Sequence, residues 1–259
     1  IDNIKTFLDF NDFTLKEGQT ILLTGKLPQS PSLSRECSAE YAASVVANKI
    51  SGSLITYWNQ ELMVTTADIN DVPSAAVIDA ITYSEATELS FFGSPVIRPQ
   101  NMVPALAKKI PLRLRSFKQV EHLGTLIDET EGTKDHRPVK GFSVTRGIAL
   151  INVEGAGMIG VPGIASRLFE AMQQAEISVV LISQASSEYS ICYAVPAEQA
   201  ALAKAIARST FINEIESNRI HNIEAEMGCA ILAAVGENMI GVPGIAATFF
   251  NALGKARVN

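Results

Sequence analysis

The sequence predicts an α/β protein with two architectures in series: a domain of short strands alternating with helices, then two tandem ferredoxin-like (βαββαβ) units, the second incomplete. Three observations carry this. Apolar runs alternate with amphipathic helical stretches from residue 1 to about 128, the pattern of a mixed or parallel sheet covered by helices. Beyond residue 141 the chain repeats. Met158-Ile-Gly-Val-Pro-Gly-Ile-Ala165 recurs letter for letter at 239–246, an offset of 81 residues that also matches Gly155 with Gly236, Phe169 with Phe250 and Ala171 with Ala252. Within the repeat only five residues, 184–188, join two strand-like runs. So short a connection makes an antiparallel hairpin, since a parallel crossover needs about a dozen residues or more.

Taken in order, Ile21–Thr24 reads as a buried strand, Glu40–Lys49 as an amphipathic helix and Ser53–Trp58 as a strand. Ala75–Ile81 and Ser84–Phe92 read as helices, broken by Gly93 and Pro95, and Met102–Lys109 as a further short helix before the strand Leu112–Ser116. The stretch 128–141, DETEGTKDHRPVKG, is nearly all polar and reads as a surface connection; its cluster Lys134, Asp135, His136, Arg137 and Lys140 reads as solvated. The first repeat then gives a strand (Ile148–Val153), a glycine turn, a helix (Ile164–Ala175), and the strands Ile177–Ser183 and Tyr189–Val195. A helix opened by Pro196 and Glu198 follows and runs to about Arg208. That order, β-α-β-β-α, begins a ferredoxin-like unit. The second copy stops after its helix, at Ala256–Asn259, so two more strands and a helix are expected to follow in a complete unit.

Composition excludes several classes. A formal charge of −6 over 259 residues argues against a nucleic-acid partner, which needs a clustered basic surface. No apolar run reaches the ~18 residues of a membrane span, and Ile1–Asp12 lacks the apolar core of a signal peptide. Cys37, Cys192 and Cys229 are few and scattered, which suits a reducing compartment, and a cytoplasmic location is expected. His122, His136 and His221 have no partner at metal-ligand spacing, so no metal site is expected.

Gly155-x-Gly157-x-x-Gly160 has the spacing of a dinucleotide fingerprint, but two features oppose that reading. A hairpin stands where a Rossmann half needs a helix, and Val180–Ser183 offers no acid to hold a ribose. The second copy, Gly236-Glu-Asn238-Met-Ile-Gly241, also lacks the middle glycine. Two readings of the duplicated loop remain. It is a tight turn that merely packs, or its backbone N–H groups, at the positive end of a helix dipole, hold a small anion such as the carboxylate of a free amino acid.

The run Ile177-Ser-Val-Val-Leu-Ile-Ser-Gln-Ala-Ser-Ser-Glu-Tyr-Ser-Ile191 and the duplicated loop resemble the paired ACT domains of aspartokinases, most closely those of bifunctional aspartokinase–homoserine dehydrogenases. Thr82-Tyr-Ser-Glu-Ala-Thr-Glu-Leu-Ser-Phe-Phe-Gly93, Ile110-Pro111 and Gly124-Thr-Leu-Ile127 are similar to the later part of that family's three-layer amino-acid-kinase domain. The resemblance implies a partial kinase-like domain over 1–128, a linker over 129–141, a first ACT domain over 142–218 and a second, truncated one over 219–259. It implies an amino-acid effector, threonine or else lysine, held by Met158, Ile159, Gly160, Val161, Pro162, Gly163 and Ile164, with Gln184 as polar selector and Met239, Ile240 and Gly241 in the second copy. It implies a homodimer paired through the ACT units.

The same resemblance implies kinase motifs, and here the sequence departs from the pattern. The family's Gly-Arg-Gly-Gly-Ser-Asp turn aligns with Ser34-Arg35-Glu36-Cys37-Ser38-Ala39, which keeps Arg35 and Ser38 but neither the glycines nor the carboxylate. Its Trp-Thr-Asp-Val-Asp-Gly-Val strand aligns with Trp58–Val64, without the aspartates or the glycine, although Thr66 and Asp68 follow. Its Phe-Gly-Ala-Lys-Val becomes Phe92-Gly-Ser-Pro-Val96, and proline supplies no ammonium. Phosphoryl transfer relies on such positioned charge. The expectation is a scaffold without its catalysis, needing no cofactor in this segment, and ATP–Mg only if the kinase is active. The alternatives are a working aspartate kinase and a dimerisation unit without ligand. Glu85 and Glu88, three apart, belong by the resemblance near the aspartate pocket and read here as a solvated face. Trp58, Phe91 and Phe92 read as core, and Ser186–Glu188 as a turn.

Overall fold

A computed structural model describes residues 20, 38–60, 63–93, 97–184 and 189–258. The expected strand at Ile21–Thr24, together with Arg35, Cys37, Pro95 and Ser186, lies outside the described residues. The chain divides into two compact units, one of Ile1–Ser143 with Ala233–Asn259 and one of Val144–Leu232.

In the first unit, α1 (Ala39–Ile50) starts at Ser38, whose hydroxyl accepts the Tyr41 N–H at 3.2 Å. Strands β1 (Ile55–Asn59), β2 (Ala80–Ile81), β3 (Leu112–Ser116) and β4 (Thr125–Ile127) form one mixed sheet in the order β1-β3-β4-β2. β1 runs parallel to β3 and β2 to β4, while β3 and β4 are antiparallel. The alternation Leu112, Leu114, Ser116 inward is the period of two that a sheet with one face on a core demands. Against it pack α1, α2 (Tyr83–Phe91) and α3 (Pro99–Leu106), with Leu89, Met102 and Ala105 buried. A buried polar chain ties α1 to α3 and β1: the Ser44 hydroxyl lies 2.7 Å from the Tyr57 hydroxyl and donates to the Asn101 carbonyl at 2.6 Å. Burial pushes the Tyr57 hydroxyl up to about 12.

The expected helix at 75–81 is absent. That stretch is extended, bridging Thr65 to Val77 and then forming β2, with Ile78 and Ile81 buried. The helix starts only at Thr82, whose side chain and Glu85 cap each other's backbone N–H groups. Thr82-x-x-Glu85 is the capping-box signature, and β-branched Val77, Ile78 and Ile81 favour the strand before it.

The polar stretch 128–141 is not solvated chain throughout. Asp128 accepts the N–H groups of Thr130 and Glu131, both at 2.9 Å, and starts α4 (Glu129–Lys134). Gly132 lies so close to α2 that an added Cβ would come within 2.4 Å of the Thr82 nitrogen. Lys140 is buried, its ammonium donating to the carbonyls of Gly132 (3.0 Å) and Asp135 (2.7 Å) and pairing with the Asp135 carboxylate at 3.2 Å. A buried ammonium persists only when paired and hydrogen-bonded.

In the second unit the sheet order is β6-β7-β5-β8, where β5 is Gly141–Glu154, β6 Leu181–Gln184, β7 Ser190–Pro196 and β8 Asn222–Val235. β7 is antiparallel to both β5 and β6, as the short connection requires. Helix α5 (Ile164–Gln174) follows β5, and α6 (Ala200–Thr210) with the short α7 (Ile212–Glu216) follows β7. This is the ferredoxin-like arrangement. Ile164, Leu168 and Met172 of α5 and Ala200, Ala203 and Ala207 of α6 bury Ile151, Val153, Ile191 and Val195. The strand expected from Ile177 starts later, because Glu176 takes a left-handed turn and Ile177 N–H closes onto the Met172 carbonyl at 3.0 Å. Back in the first unit, α8 (Ile245–Lys255) repeats α5, yet none of its residues is buried; Phe142 of β5 stacks on its Phe249 at 6.3 Å.

Tyr193 is fully buried at the centre of β7, its hydroxyl without a hydrogen-bond partner among the described residues, and burial pushes its pKa up. Removing an unsatisfied hydroxyl removes a desolvation cost. Tyr193→Phe is therefore expected to leave urea stability unchanged or raise it by about 1 kcal/mol; a loss of that size would mean the hydroxyl has a partner.

Candidate ligand site at the duplicated loops

Each β-strand of the duplicated motif ends in a glycine and one turn of 3₁₀ helix before the following α-helix. After β5 these are Gly155 and Ala156–Met158, and after β8 they are Gly236 and Glu237–Met239. The eight shared letters take the same conformation twice. Gly160 and Gly163 have φ of 69° and 87°, Gly241 and Gly244 of 78° and 89°. The glycines divide into two kinds. A Cβ on Gly155 would meet the Arg219 carbonyl at 2.1 Å and one on Gly157 the Arg219 Cβ at 2.3 Å, whereas Gly160 and Gly163 face open space and are required by left-handed backbone. The fingerprint spacing therefore serves close packing and turning.

Helices α5 and α8 begin at Gly163 and Gly244, which as glycines bring no capping side chain of their own. The first N–H groups of a helix have no intrahelical partner, so both starts present donors at the positive end of a helix dipole. That end favours an anion by about 0.3–1 kcal/mol at exposed sites. Around the first start Ile159 and Val161 are exposed, and around the second Ile240 is 89% exposed and Val242 half-exposed. Met158 and Ile164, of the expected site residues, are buried. Gly160, Pro162, Gly163 and Gly241 are exposed and Met239 is half-buried.

Gln184 is the last residue of β6 and is exposed. It stands in register with Ile191, which pairs with Val153, two residues before Gly155. The sheet thus brings Gln184 to the same end of the unit as the first glycine loop. An exposed amide thus lies at the same end of the unit as exposed apolar side chains and the start of α5.

The expected kinase-motif positions are occupied with local structure. Ser38 caps α1. The Thr66 hydroxyl accepts the Ala76 N–H at 3.1 Å, and Asp68 accepts from Asn70 at 2.8 and 2.9 Å. Glu88 is exposed, but Glu85 is not on a solvated face: it is 2% exposed, and its carboxylate accepts the N–H groups of Thr82 (3.0 Å) and Glu237 (3.1 Å). Trp58 and Phe91 are exposed rather than core; Trp58 stacks on Phe117 at 5.6 Å with the Arg115 guanidinium 4.3 Å above its ring. Asn238, which donates to the Asp135 carbonyl at 3.0 Å, also escaped sequence reasoning. The signal for it was the mismatch between the copies, Gly155-Ala-Gly157 against Gly236-Glu-Asn238. Among the described residues no cluster of histidine, cysteine and carboxylates could hold a metal, and no helix is long and apolar enough to cross a membrane.

Comparison with known proteins agrees with this layout. The amino acid kinase family matches residues 8–116 and the ACT domain residues 151–211. The chain is 38% identical over 256 residues to the chloroplastic bifunctional aspartokinase/homoserine dehydrogenase 1 of Arabidopsis thaliana, covering 95% of this chain and 28% of that protein. To the bifunctional aspartokinase/homoserine dehydrogenase of Haemophilus influenzae it is 37% identical over 221 residues, covering 85% and 27%. The chain thus spans little more than a quarter of the length of these relatives. Among solved structures, aspartate kinase of Clostridium acetobutylicum superposes with a TM-score of 0.75 at 22% identity, covering 85% of this chain and 50% of that one. E. coli aspartokinase III in complex with aspartate and ADP gives 0.66 at 23%, covering 83% and 47%. Both show the shared fold.

Asp135 meets the second loop through its carbonyl, which accepts from the Asn238 amide. The Arg137 guanidinium, then Lys140, hold its carboxyl well below the usual aspartate range, against the opposing effect of burial. A carboxyl depressed in the folded state stabilises above its unfolded pKa, near 4 for aspartate, and that contribution fades as pH falls through the folded value. Asp135→Asn is expected to cost about 1–3 kcal/mol at pH 7 and to flatten the loss of stability below pH ~4. Urea titrations of both proteins across pH 2–7, a range set by that pKa, check it; parallel curves would refute it.

Proposed function

This chain belongs to the aspartokinase family, and from that premise we propose that it is the amino-acid-sensing segment of a bifunctional aspartokinase–homoserine dehydrogenase. A feedback effector, threonine or else lysine, binds at the duplicated loops. The observation that carries this reading is the recurrence of one glycine-started helix entrance at two places, with Gln184 at the edge beside the first. The effector's carboxylate meets the N–H groups at Gly163–Ala165, its side chain meets Gln184, and Ile159 and Val161 cover its apolar part. A guest can act on the protein only by binding one arrangement better than another. The exposed Ile159 and Ile240 would then be covered where two copies pair through their ACT units. E. coli aspartokinase III has been solved in complex with lysine and aspartate, which supports an amino acid as the class of ligand.

Isothermal titration calorimetry with L-threonine and L-lysine checks the sensor reading. One of them is expected to bind, and Gln184→Ala to weaken that binding about 3- to 10-fold, the worth of one hydrogen bond. Absence of heat from both would leave a dimerisation unit without ligand.

We also propose that the kinase-like unit is a catalytically silent scaffold. By the resemblance, Glu36 and Met63 stand where the family has glycines, and Gln60, Leu62 and Pro95 where it has charged side chains, while Ser38, Thr66, Asp68 and Glu85 are committed to caps, turns and the second loop. Aspartate-dependent ATP turnover by the 259-residue chain is expected to be undetectable in a coupled assay. Turnover at the ~1–100 per second of ordinary kinases would show an active enzyme instead.

A further inference from the structure

Where the two copies differ, the second loop makes a side-chain contact, from Asn238, that Gly157 of the first cannot make. Both loops are held by the segment that precedes the partner strand. His221 N–H donates to the Glu154 carbonyl at 3.0 Å in the first copy, and Lys140 N–H, 81 positions earlier, donates to Val235 at 2.8 Å in the second. Gly155 is pressed on the Arg219 carbonyl, and Gly236 in the same way on the Pro138 carbonyl, where a Cβ would come to 2.2 Å. The second loop then adds two ties. Glu237 N–H donates to the buried Glu85 carboxylate, and the Asn238 amide donates to the Asp135 carbonyl. Asn238 stands where the first copy has Gly157, which has no side chain.

Glu85 shares its two carboxylate oxygens between Thr82, at the start of α2, and the loop. The far end of α2 is held as well: the Ser143 hydroxyl of β5 donates to the Phe92 carbonyl at 2.7 Å. Around the near end, Tyr83 N–H donates to Glu129 at 3.3 Å, Gly132 is wedged against Thr82, and Lys140 bonds the carbonyls of Gly132 and Asp135. The start of α2, the segment 129–140 and the second loop are thus one hydrogen-bonded knot. It contains a buried ammonium at Lys140 and a buried carboxylate at Glu85, groups whose partners are costly to remove.

We infer that α2 is the element through which the kinase-like unit reads the duplicated sensor. Glu85 is the positioning residue that ties the first turn of α2 to the second loop, and Ser143 ties the last. A guest that shifts Glu237–Gly241 must either carry the start of α2 with it or break the Glu85 bond. The inference rests on the sensor reading above, and names the structural route from its second loop into the kinase-like unit.

Hydrogen exchange followed by mass spectrometry on the 259-residue chain tests it, with calorimetry on the same samples. Glu85→Gln keeps the shape and the helix cap but has one acceptor oxygen for two donors. It is expected to speed exchange roughly tenfold both at 83–87 and at 236–240. Asn238→Gly, which copies the first loop, should loosen the same two stretches without touching the cap. Glu237→Ala should change neither, because its bond comes from backbone. Faster exchange at 83–87 with 236–240 unmoved in Glu85→Gln, and no effect from Asn238→Gly, would overturn the knot. L-Threonine or L-lysine that gives heat and alters exchange at 83–87 in the parent chain, and less in Glu85→Gln, supports the relay. Heat without any change at 83–87 overturns the relay and leaves the sensor standing. No heat from either amino acid removes the sensor reading and the relay with it, whatever the variants show of the knot.

Discussion

Two left-handed glycines, Gly163 and Gly244, set the start of α5 and α8, and most of the site follows from them. A residue with φ near +90° stops the chain from entering the helix smoothly, and as glycine it brings no side chain to cap the first turn. The first run, Met158–Ile164, puts its two ends into the core and its middle outward. Met158 and Ile164 anchor; Ile159 and Val161 stand exposed. Exposed apolar side chains around a helix start suit a covered ligand.

The duplication was legible because identity in register is independent of tertiary context. So was the antiparallel hairpin, since a loop of five residues has no other way to connect strands. Helices α1 and α2 and strands β1 and β3 followed from periodicity. The stretch 75–81 was misread because its apolar residues fit either period; the capping box at Thr82 and Glu85 settles where the helix starts, and it was on view in the sequence. Lys140 and Glu85 were misread for a different reason. Composition alone makes a charged residue in a polar run look solvated, and the groups that pair with them lie elsewhere: Glu85 meets a backbone amide 152 residues away. Only the folded chain brings those partners together.

The Asn238 bond to the Asp135 carbonyl gives the divergence of the two copies at that position a physical meaning. Positions shared by both loops maintain the glycine conformation, while Glu237 and Asn238 lie at the face that meets residues 85 and 135. In the kinase-like unit the retained polar residues likewise hold structure: Ser38 starts a helix, Asp68 closes a turn and Thr66 receives a backbone amide.

The central claim is that the helix entrances grip the acid group of a small metabolite. Backbone ¹⁵N–¹H spectra of the chain, recorded with and without L-threonine, address it at the atoms concerned. The account predicts the largest shifts at Gly163, Ile164 and Ala165, with the corresponding amides of the second copy moving alongside. Saturable binding that leaves those amides in place and moves others would contradict it.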